Sequence, residues 1–494
     1  MAQCTVRTAT VFGIEAVAVD AEVDVGAGLP TFAIVGLADI AVQEARERVR
    51  SAVRAAGFNV PNARIVVNLA PGPLRKHGTG FDLALAVGLL TATGQLNPSI
   101  ARDCAVVGEL SLDGSVRAVR GMLAHALAAR AQRRPLLGPA ESAESLALHG
   151  LDYRPLTHLA QLRSGVPAAV VGALPTVLPS DSEADFADVA GHDLAKRALL
   201  IAAAGAHNIL MVGPPGSGKT MLARRLPSIL PPLDDTERVE TALVHSVAGI
   251  DDVPALAGIR PFRAPHHSAS IAGLVGGGSP PRPGEASLAH NGVLFLDEMP
   301  EFGPAALQSL RQPLEDGHIT LVRAEGRLLF PARFALVGAA NPCPCGFRGD
   351  AQRRCSCATG VVERYQARIG GPLMDRIDLV VDVARVDPGL LLSRGQSIAS
   401  AQLRDQVLAA REIAAARDVA DNRVLTGVAL LSACALQDRA TRFLEDAARA
   451  QHLSGRGVTR LLRVARTCAD LAGESAVTVE HLSEALGYRA KDGA

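Results

Sequence analysis

Residues 213–220 read Gly-Pro-Pro-Gly-Ser-Gly-Lys-Thr, directly after the apolar run Asn-Ile-Leu-Met-Val at 208–212. Met-Leu-Ala-Arg-Arg-Leu follows at 221–226 with helical spacing. Buried strand, glycine loop and helix in this order commit the segment to one architecture, a strand of an α/β sheet with an anion cradle at its tip. The loop matches G-x-x-x-x-G-K-[ST] in full. Gly213, Pro214, Pro215, Gly216, Ser217 and Gly218 are expected to wrap phosphate oxygens, Lys219 to reach the β- and γ-phosphates, and Thr220 to take Mg²⁺. A glycine-rich surface turn is the alternative, and it would need neither flanking element. The chain is expected to bind and hydrolyse a nucleoside triphosphate.

About 75 residues downstream, Val-Leu-Phe-Leu at 293–296 ends in Asp297 and Glu298. An apolar strand tipped by two acids suits the partner of a phosphate loop. Asp297 would hold Mg²⁺ through water, and Glu298 would orient and deprotonate the attacking water. A second apolar run, 334–340, ends in Asn341, whose side chain can touch the γ-phosphate or that water. Asp375-Arg376-Ile-Asp378 sets an arginine among acids. It is either a surface ion-pair cluster or the cation for transition-state charge, a group often donated by a neighbouring subunit. Arg456, Arg460 and Arg463 recur at i, i+4 and i+7, a basic stripe that equally fits a solvated helix face.

Composition narrows the partners. Lys+Arg and Asp+Glu balance at 50 each, so no global field draws the chain to nucleic acid or membrane, and any such contact must be local. Aromatics at 3% argue against base-stacking platforms. The N-terminus lacks a basic region followed by an apolar core, and no apolar run approaches the ~18 residues that span a bilayer. A cytoplasmic location without a membrane partner is expected. Cys343, Cys345, Cys355 and Cys357 form two C-x-C pairs. Four thiolates suit a structural Zn²⁺, although the usual knuckle is C-x-x-C and four reduced thiols without metal are the alternative. Arg348, Arg353 and Arg354 make that loop basic, a second surface for nucleic acid.

Along the chain, 1–165 mixes strands (64–69, and 105–112 entering a turn at Asp113-Gly114) with helices (81–90 and 121–134), an α+β pattern. Residues 166–185 read as a Pro- and Ala-rich linker. Residues 186–386 alternate as a parallel α/β sheet, and 387–494 are helical, with periodic stretches at 401–416, 426–436, 438–450 and 458–471. A β-α-β unit needs about 30 residues, so the stretch between Thr220 and Asp297 carries an insertion. Its glycine- and proline-rich part, 268–282, suits a protruding loop. Residues 319–329 read as a hairpin with Arg323 and Arg327 flanking its tip, and His266 and His267 are expected to pack within their loop, with a ligand role as the alternative.

The order of phosphate loop, Asp-Glu strand, Asn tip, Asp-Arg-Ile-Asp and helical lid resembles an AAA+ ATPase. More narrowly, Arg-Pro-Phe-Arg-Ala-Pro-His-His at 260–267, the glycines at 276–278, Pro283-Gly-Glu285, Leu288-Ala-His-Asn-Gly292 and Asn341-Pro-Cys-Pro-Cys-Gly346 resemble the YifB/ComM family of magnesium-chelatase-like ATPases. The resemblance covers nearly the whole chain. It implies a homo-hexameric ring with ATP and Mg²⁺ held between subunits. Lys219, Thr220, Asp297, Glu298 and Asn341 take the Walker and sensor-1 roles, and Arg376 becomes the arginine finger across the interface. Arg460 is the choice for sensor 2, with Arg456 its rival. In helicases of this clade the inserted loops line a pore, which makes Arg323 and Arg327 candidate DNA contacts.

Lys76-His-Gly-Thr-Gly-Phe-Asp82 and Gly108-Glu-Leu-Ser-Leu-Asp-Gly114 resemble the Lon protease domain. That family needs a Ser–Lys dyad. Here Gly80 and Phe81 stand where serine is expected, 121–125 holds no lysine, and a lone Ser111 or Lys76 does not remake the pair. A non-proteolytic, Lon-like module is expected. Taken together, the resemblance implies a DNA helicase or branch-migration motor of recombination or natural transformation. The alternatives are a magnesium-chelatase motor subunit and a regulatory ATPase that does not act on DNA.

Overall fold

The computed structural model describes residues 2–148, 150–170, 184–323, 326–350, 352–387, 389 and 398–489. Long alternating strands at the N-terminus build a seven-stranded mixed sheet. Its order is Thr31–Val35, Arg64–Ala70, Glu15–Gly26, Ala2–Phe12, Ala105–Val106, Leu136–Pro139 and Tyr153–Leu156. Ala2–Phe12 and Glu15–Gly26 form an antiparallel hairpin that turns at Gly13, whose φ of +70° suits glycine. The apolar helix Asp82–Ala92 lies on this hairpin, with Leu83, Leu85, Leu89 and Leu90 buried. Contact is close at Gly88, where a Cβ would stand 2.6 Å from Val23 Cγ2.

The expected continuous strand at 105–112 is broken in two. Ala105–Val106 joins the large sheet, whereas Glu109–Leu110 pairs with Val116–Arg117 across the turn at Asp113-Gly114. The cause is Gly108, whose backbone is diverted to the neighbouring helix. Its N–H donates to the Gly80 carbonyl and its own carbonyl accepts from Leu83 N–H, both at 3.0 Å.

The second sheet has five strands, all parallel, in the order Phe262–Arg263, Gly292–Leu296, Phe334–Ala340, Ile209–Val212 and Leu379–Asp382. Every residue of Gly292–Leu296 is buried, as a strand covered on both faces requires. Because Ile209–Val212 sits next to Phe334–Ala340, with Gly292–Leu296 beyond, the carboxyl tips that precede Gly213, Asn341 and Asp297 stand side by side. That crevice is where open α/β sheets bind ligands.

Helices Ser400–Ala415, Gly427–Cys434, Asp438–Ala450 and Gly455–Leu471 occupy the expected stretches, and Val479–Gly487 adds to them. They share one hydrophobic core with the five-stranded sheet, running from Met211, Phe295 and Val381 to Val407 and Leu461. The inserted segment 268–282 is more ordered than its composition implied. It contains the helix Ile271–Val275, capped by the Ser270 side chain, and a cross-bridge between Gly277 and Arg282. The hairpin His318–Arg323 with Gly326–Pro331 is present, its tip at 324–325 lying outside the described residues. Most of the expected linker, 171–183, also lies outside them. Among the described residues no helix is long and apolar enough to cross a membrane.

Candidate nucleotide site

At the carboxyl edge of the parallel sheet, the chain after Val212 turns tightly because Gly213 has no Cβ; one would stand 2.1 Å from the Val383 carbonyl oxygen. Gly216 and Gly218 hold φ of +75° and +86°, a region that favours glycine. The buried Lys219 ammonium donates to the Gly213 and Pro214 carbonyls at 2.7 and 2.9 Å and to Asn341 Oδ1 at 3.3 Å. Burial pulls its pKa down, while Asp297 and Glu298 pull the other way. Thr220 Oγ1 donates to Asp297 Oδ2 at 2.7 Å, and Asp297 Oδ1 accepts the Glu298 N–H at 2.9 Å. Glu298 itself is exposed at φ +49°, a left-handed conformation that costs a non-glycine residue about 1–3 kcal/mol. Ser217 Oγ is buried with no hydrogen-bond partner among the described residues. A buried cation, a glycine cradle, a hydroxyl–carboxylate pair and an orphaned hydroxyl form a donor set that fits a nucleoside triphosphate with Mg²⁺.

Two histidines, His267 and His192, lie against this site. His266 and His267 lie against each other within their loop, the rings tilted with centroids 4.0 Å apart and His266 Nδ1 2.8 Å from Ser268 Oγ, and His267 Nδ1 also lies 3.8 Å from Glu298 Oε2. His192 precedes the helix Asp193–Gly205 at φ +60°, and a Cβ on Gly218 would meet its Nε2 at 3.3 Å. The signal for His267 was its place in the 260–267 motif. For His192 nothing beyond a Gly-His pair at a helix start was visible.

Arg376 and Arg460 are elsewhere, at the amino edge of the same sheet. Asp378, one residue before Leu379–Asp382, accepts the Asn208 N–H at 3.0 Å and lies 3.6 Å from the buried His207 Nδ1. His207 Nε2 in turn meets Thr467 Oγ1 of the lid at 2.8 Å, and Asn208 Nδ2 donates to the Arg376 carbonyl at 2.8 Å. Asp378 is therefore an internal anchor, not part of a surface ion-pair cluster. The Arg376 side chain is 9% exposed and paired with Glu315. Burial, then repulsion from Arg311 and Arg456, lowers its pKa. Arg460 donates to the Met374 and Ile377 carbonyls at 3.0 and 2.8 Å, and Arg463 to the Leu425 carbonyl at 2.7 Å. Of the basic stripe, Arg456 is exposed while the other two are docked. Arg376, Arg456, Arg460 and Arg463 share a cavity of about 670 Å³. A strand rises ~3.3 Å per residue, so the five residues from Asp378 to Val383 put roughly 16 Å between this cavity and the phosphate loop. The fold brings Lys219, Thr220, Asp297, Glu298 and Asn341 together and leaves Arg376 and Arg460 apart from them.

The four sulfurs of Cys343, Cys345, Cys355 and Cys357 lie within 4.8 Å of one another, a cluster that could hold a metal ion. Backbone N–H groups of Phe347 and Ser356 bring the Cys345 thiol down to about 6. Arg348, Arg353 and Arg354 are exposed around it. The two inserted loops adjoin: a Cβ on Gly277 would lie 3.9 Å from the Arg323 guanidinium. Arg323 and Arg327 are both exposed, and the hairpin rests on the N-terminal sheet where Gly326 faces the Phe12 ring. In the N-terminal region a cavity of about 500 Å³ is lined by Asp39, His77, Thr79, Glu109 and His125 together with Arg282 of the insertion. No serine or lysine lines it among the described residues. Lys76 is fully buried, donating to the Pro71 carbonyl, and Gly80 faces Val119 and Val107.

Residues 185–391 match the family model described as magnesium chelatase, subunit ChlI, residues 21–142 a model described as subunit ChlI of Mg-chelatase, and residues 397–489 the ChlI C-terminal model. The chain is 44% identical to the competence protein ComM of Haemophilus influenzae over 488 residues, 97% of this chain and 96% of that one. It is 40% identical to the YifB protein of Escherichia coli over 504 residues, 100% of this chain and 98% of that one. The 67 kDa magnesium-chelatase subunit of Heliobacterium mobile is 28% identical over 215 residues, 37% of this chain and 32% of that one.

Proposed function

Since the chain belongs to the YifB/ComM family of magnesium-chelatase-like AAA+ ATPases, we propose that it is a cytoplasmic, ATP-hydrolysing ring motor, a homo-hexamer that moves on DNA. Its task in this reading is helicase or branch-migration work during recombination or the integration of transforming DNA. The observation that carries the motor reading is the division of the site. The phosphate-binding and metal-holding groups stand at one edge of the sheet and the arginines that would complete it at the other, a division that supports one copy serving its neighbour.

In this mechanism Thr220 and Asp297 would hold a Mg²⁺, which would supply positive charge to the bound triphosphate. Lys219 exchanges its loop carbonyls for phosphate oxygens. Asn341 and Glu298 position the attacking water, and Glu298 takes its proton. Arg376 of the adjacent copy leaves Glu315 for the γ-phosphate and stabilises the transition-state charge. Arg460, holding the carbonyls of Met374 and Ile377, shapes the turn that carries Arg376 and belongs to the same donated surface, with Arg456 beside it. The exposed Arg323, next to the Gly277 turn, and the exposed Arg327 support DNA contact through phosphates.

The test is the ATPase rate with single-stranded, duplex and branched DNA, paired with unwinding of forked substrates and with Glu298→Gln as the inactive control. Stimulation by DNA and strand separation are expected. Indifference to every DNA would sink the DNA reading. A second reading, a chelatase-type motor, is favoured by the descriptions of the matching family models. It would show as stimulation by a chelatase partner and porphyrin with no response to DNA.

A further inference from the structure

We infer that Cys343, Cys345, Cys355 and Cys357 bind one Zn²⁺ and that this metal clamps the phosphate loop from the side. The sulfur positions fit the ion. Cys343 lies 3.4 Å from Cys345 and 3.7 Å from Cys355, and Cys345 lies 3.6 Å from Cys355. Four sulfurs at ~2.3 Å from a tetrahedral zinc stand ~3.8 Å from each other. All four cysteines are free, so no disulfide competes for them. Soft thiolates select zinc over Mg²⁺, and a complete S₄ set leaves no open position, which makes the role structural.

The cluster is built onto the phosphate loop. Gly346, directly after Cys345, has φ +81° and packs so closely that a Cβ would stand 2.5 Å from Pro215 Cδ. From the other side, Arg385 donates to the Pro215 carbonyl at 3.3 Å and pairs with Asp350 at 3.3 Å. Asp350 lies between the two C-x-C pairs and also accepts the N–H groups of Gln352 and Arg353 at 2.7 and 3.2 Å. The Phe347 ring lies under both Arg353 and Arg385. Two residues upstream of Cys343, Asn341 accepts from Lys219. Release of the metal would therefore loosen Pro215 and Asn341 together. This half of the inference rests on the nucleotide reading of the loop; the metal itself does not.

Metal content of the full-length chain, purified without chelator, is read by elemental analysis, and thiol accessibility by titration with a disulfide reagent. About one zinc per chain and four protected thiols are expected, with the metal lost in the Cys345→Ser/Cys357→Ser double variant. A fluorescent ATP analogue then reports affinity for the native, metal-stripped and zinc-restored protein. Stripping should weaken binding about five- to tenfold, and zinc should restore it. Gly346→Ala should keep the zinc yet weaken nucleotide binding, which covers the case of cysteine variants that fail to fold. Freely reacting thiols with no zinc, native or added, would overturn the site. Unchanged nucleotide affinity on stripping would overturn the clamp. Zinc-loaded wild type that binds no nucleotide would overturn the clamp along with the nucleotide reading, while the metal count would still stand.

Discussion

The two edges of the parallel sheet hold complementary chemistry and are built in opposite ways. The carboxyl edge is written into contiguous residues: strand tips and a glycine loop fix Lys219, Thr220, Asp297 and Asn341 within a few bonds of the sheet. The amino edge is assembled at long range, with Arg376 oriented by Asn208 and Glu315 and Arg460 brought in from the lid. In the proposed reading the first edge binds a triphosphate with one copy of the chain. The second acts on the nucleotide of a neighbouring copy, which would make hydrolysis a property of the assembly.

The largest expected effect follows from that asymmetry. Lys219→Ala and Arg376→Ala should each lose ATP hydrolysis by about 10³-fold or more, but Arg376→Ala should still bind ATP. Mixing the two variants distinguishes the arrangements. A site shared between copies gains interfaces that pair an intact phosphate loop with an intact arginine, so activity partly returns. If both edges of one copy served the same nucleotide, the mixture would stay dead. Next in size is Asn341→Ala, which removes the side chain that accepts from Lys219 and that the proposed mechanism sets at the attacking water, and should lower kcat by roughly 10²-fold with ATP affinity nearly kept.

What could be read from the sequence divides along the same line. Gly213 to Thr220, the Asp297-Glu298 tip, Asn341 and the helical stretches were legible because each rests on local pattern. The interruption at Gly108 was not, since it depends on hydrogen bonds to Gly80 and Leu83. Nor was the helix Ile271–Val275 inside a glycine-rich run, nor the approach of His267 to Glu298, which the tertiary path of the insertion creates. Asp378 looked like one more acid beside an arginine. Its buried contact with His207 spans 171 positions of sequence and has no local signature.

That anchor offers a stability test of the amino edge. Asp378→Ala would leave the Asn208 N–H without its acceptor in a buried setting, a cost of about 1–3 kcal/mol. Denaturant unfolding should show the loss, and hydrolysis should fall with it because the Arg376 turn is released. A stable variant with weak hydrolysis would instead mean that Asp378 serves orientation alone.

The smallest effect concerns charge at the amino edge of the sheet. Glu240, on helix Asp235–Ala248, accepts from His290 Nε2 at 3.2 Å and Asn291 Nδ2 at 3.5 Å and pairs with Arg333. His290 Nδ1 accepts the Arg333 N–H at 3.0 Å, and burial lowers the ring's pKa, so the imidazole is neutral and donates through Nε2. The His290 hydrogen bond, aided by Arg333, brings the Glu240 carboxyl from its usual 4.5 down to about 2. A depressed carboxyl contributes stability that is fully present above the unfolded value and is lost as pH falls through the folded one. The window is therefore pH 4.5 down to about 2. The side chain is 39% exposed, so solvent screening limits the contribution to about 0.5–1 kcal/mol. Glu240→Gln keeps an acceptor for His290 but removes the charge. Its Tm should lie below wild type at pH 7, and the gap should narrow as the pH is taken below 4.5. A gap that stays constant through that range would assign the stabilisation to hydrogen bonding and leave the carboxylate charge without a part in it.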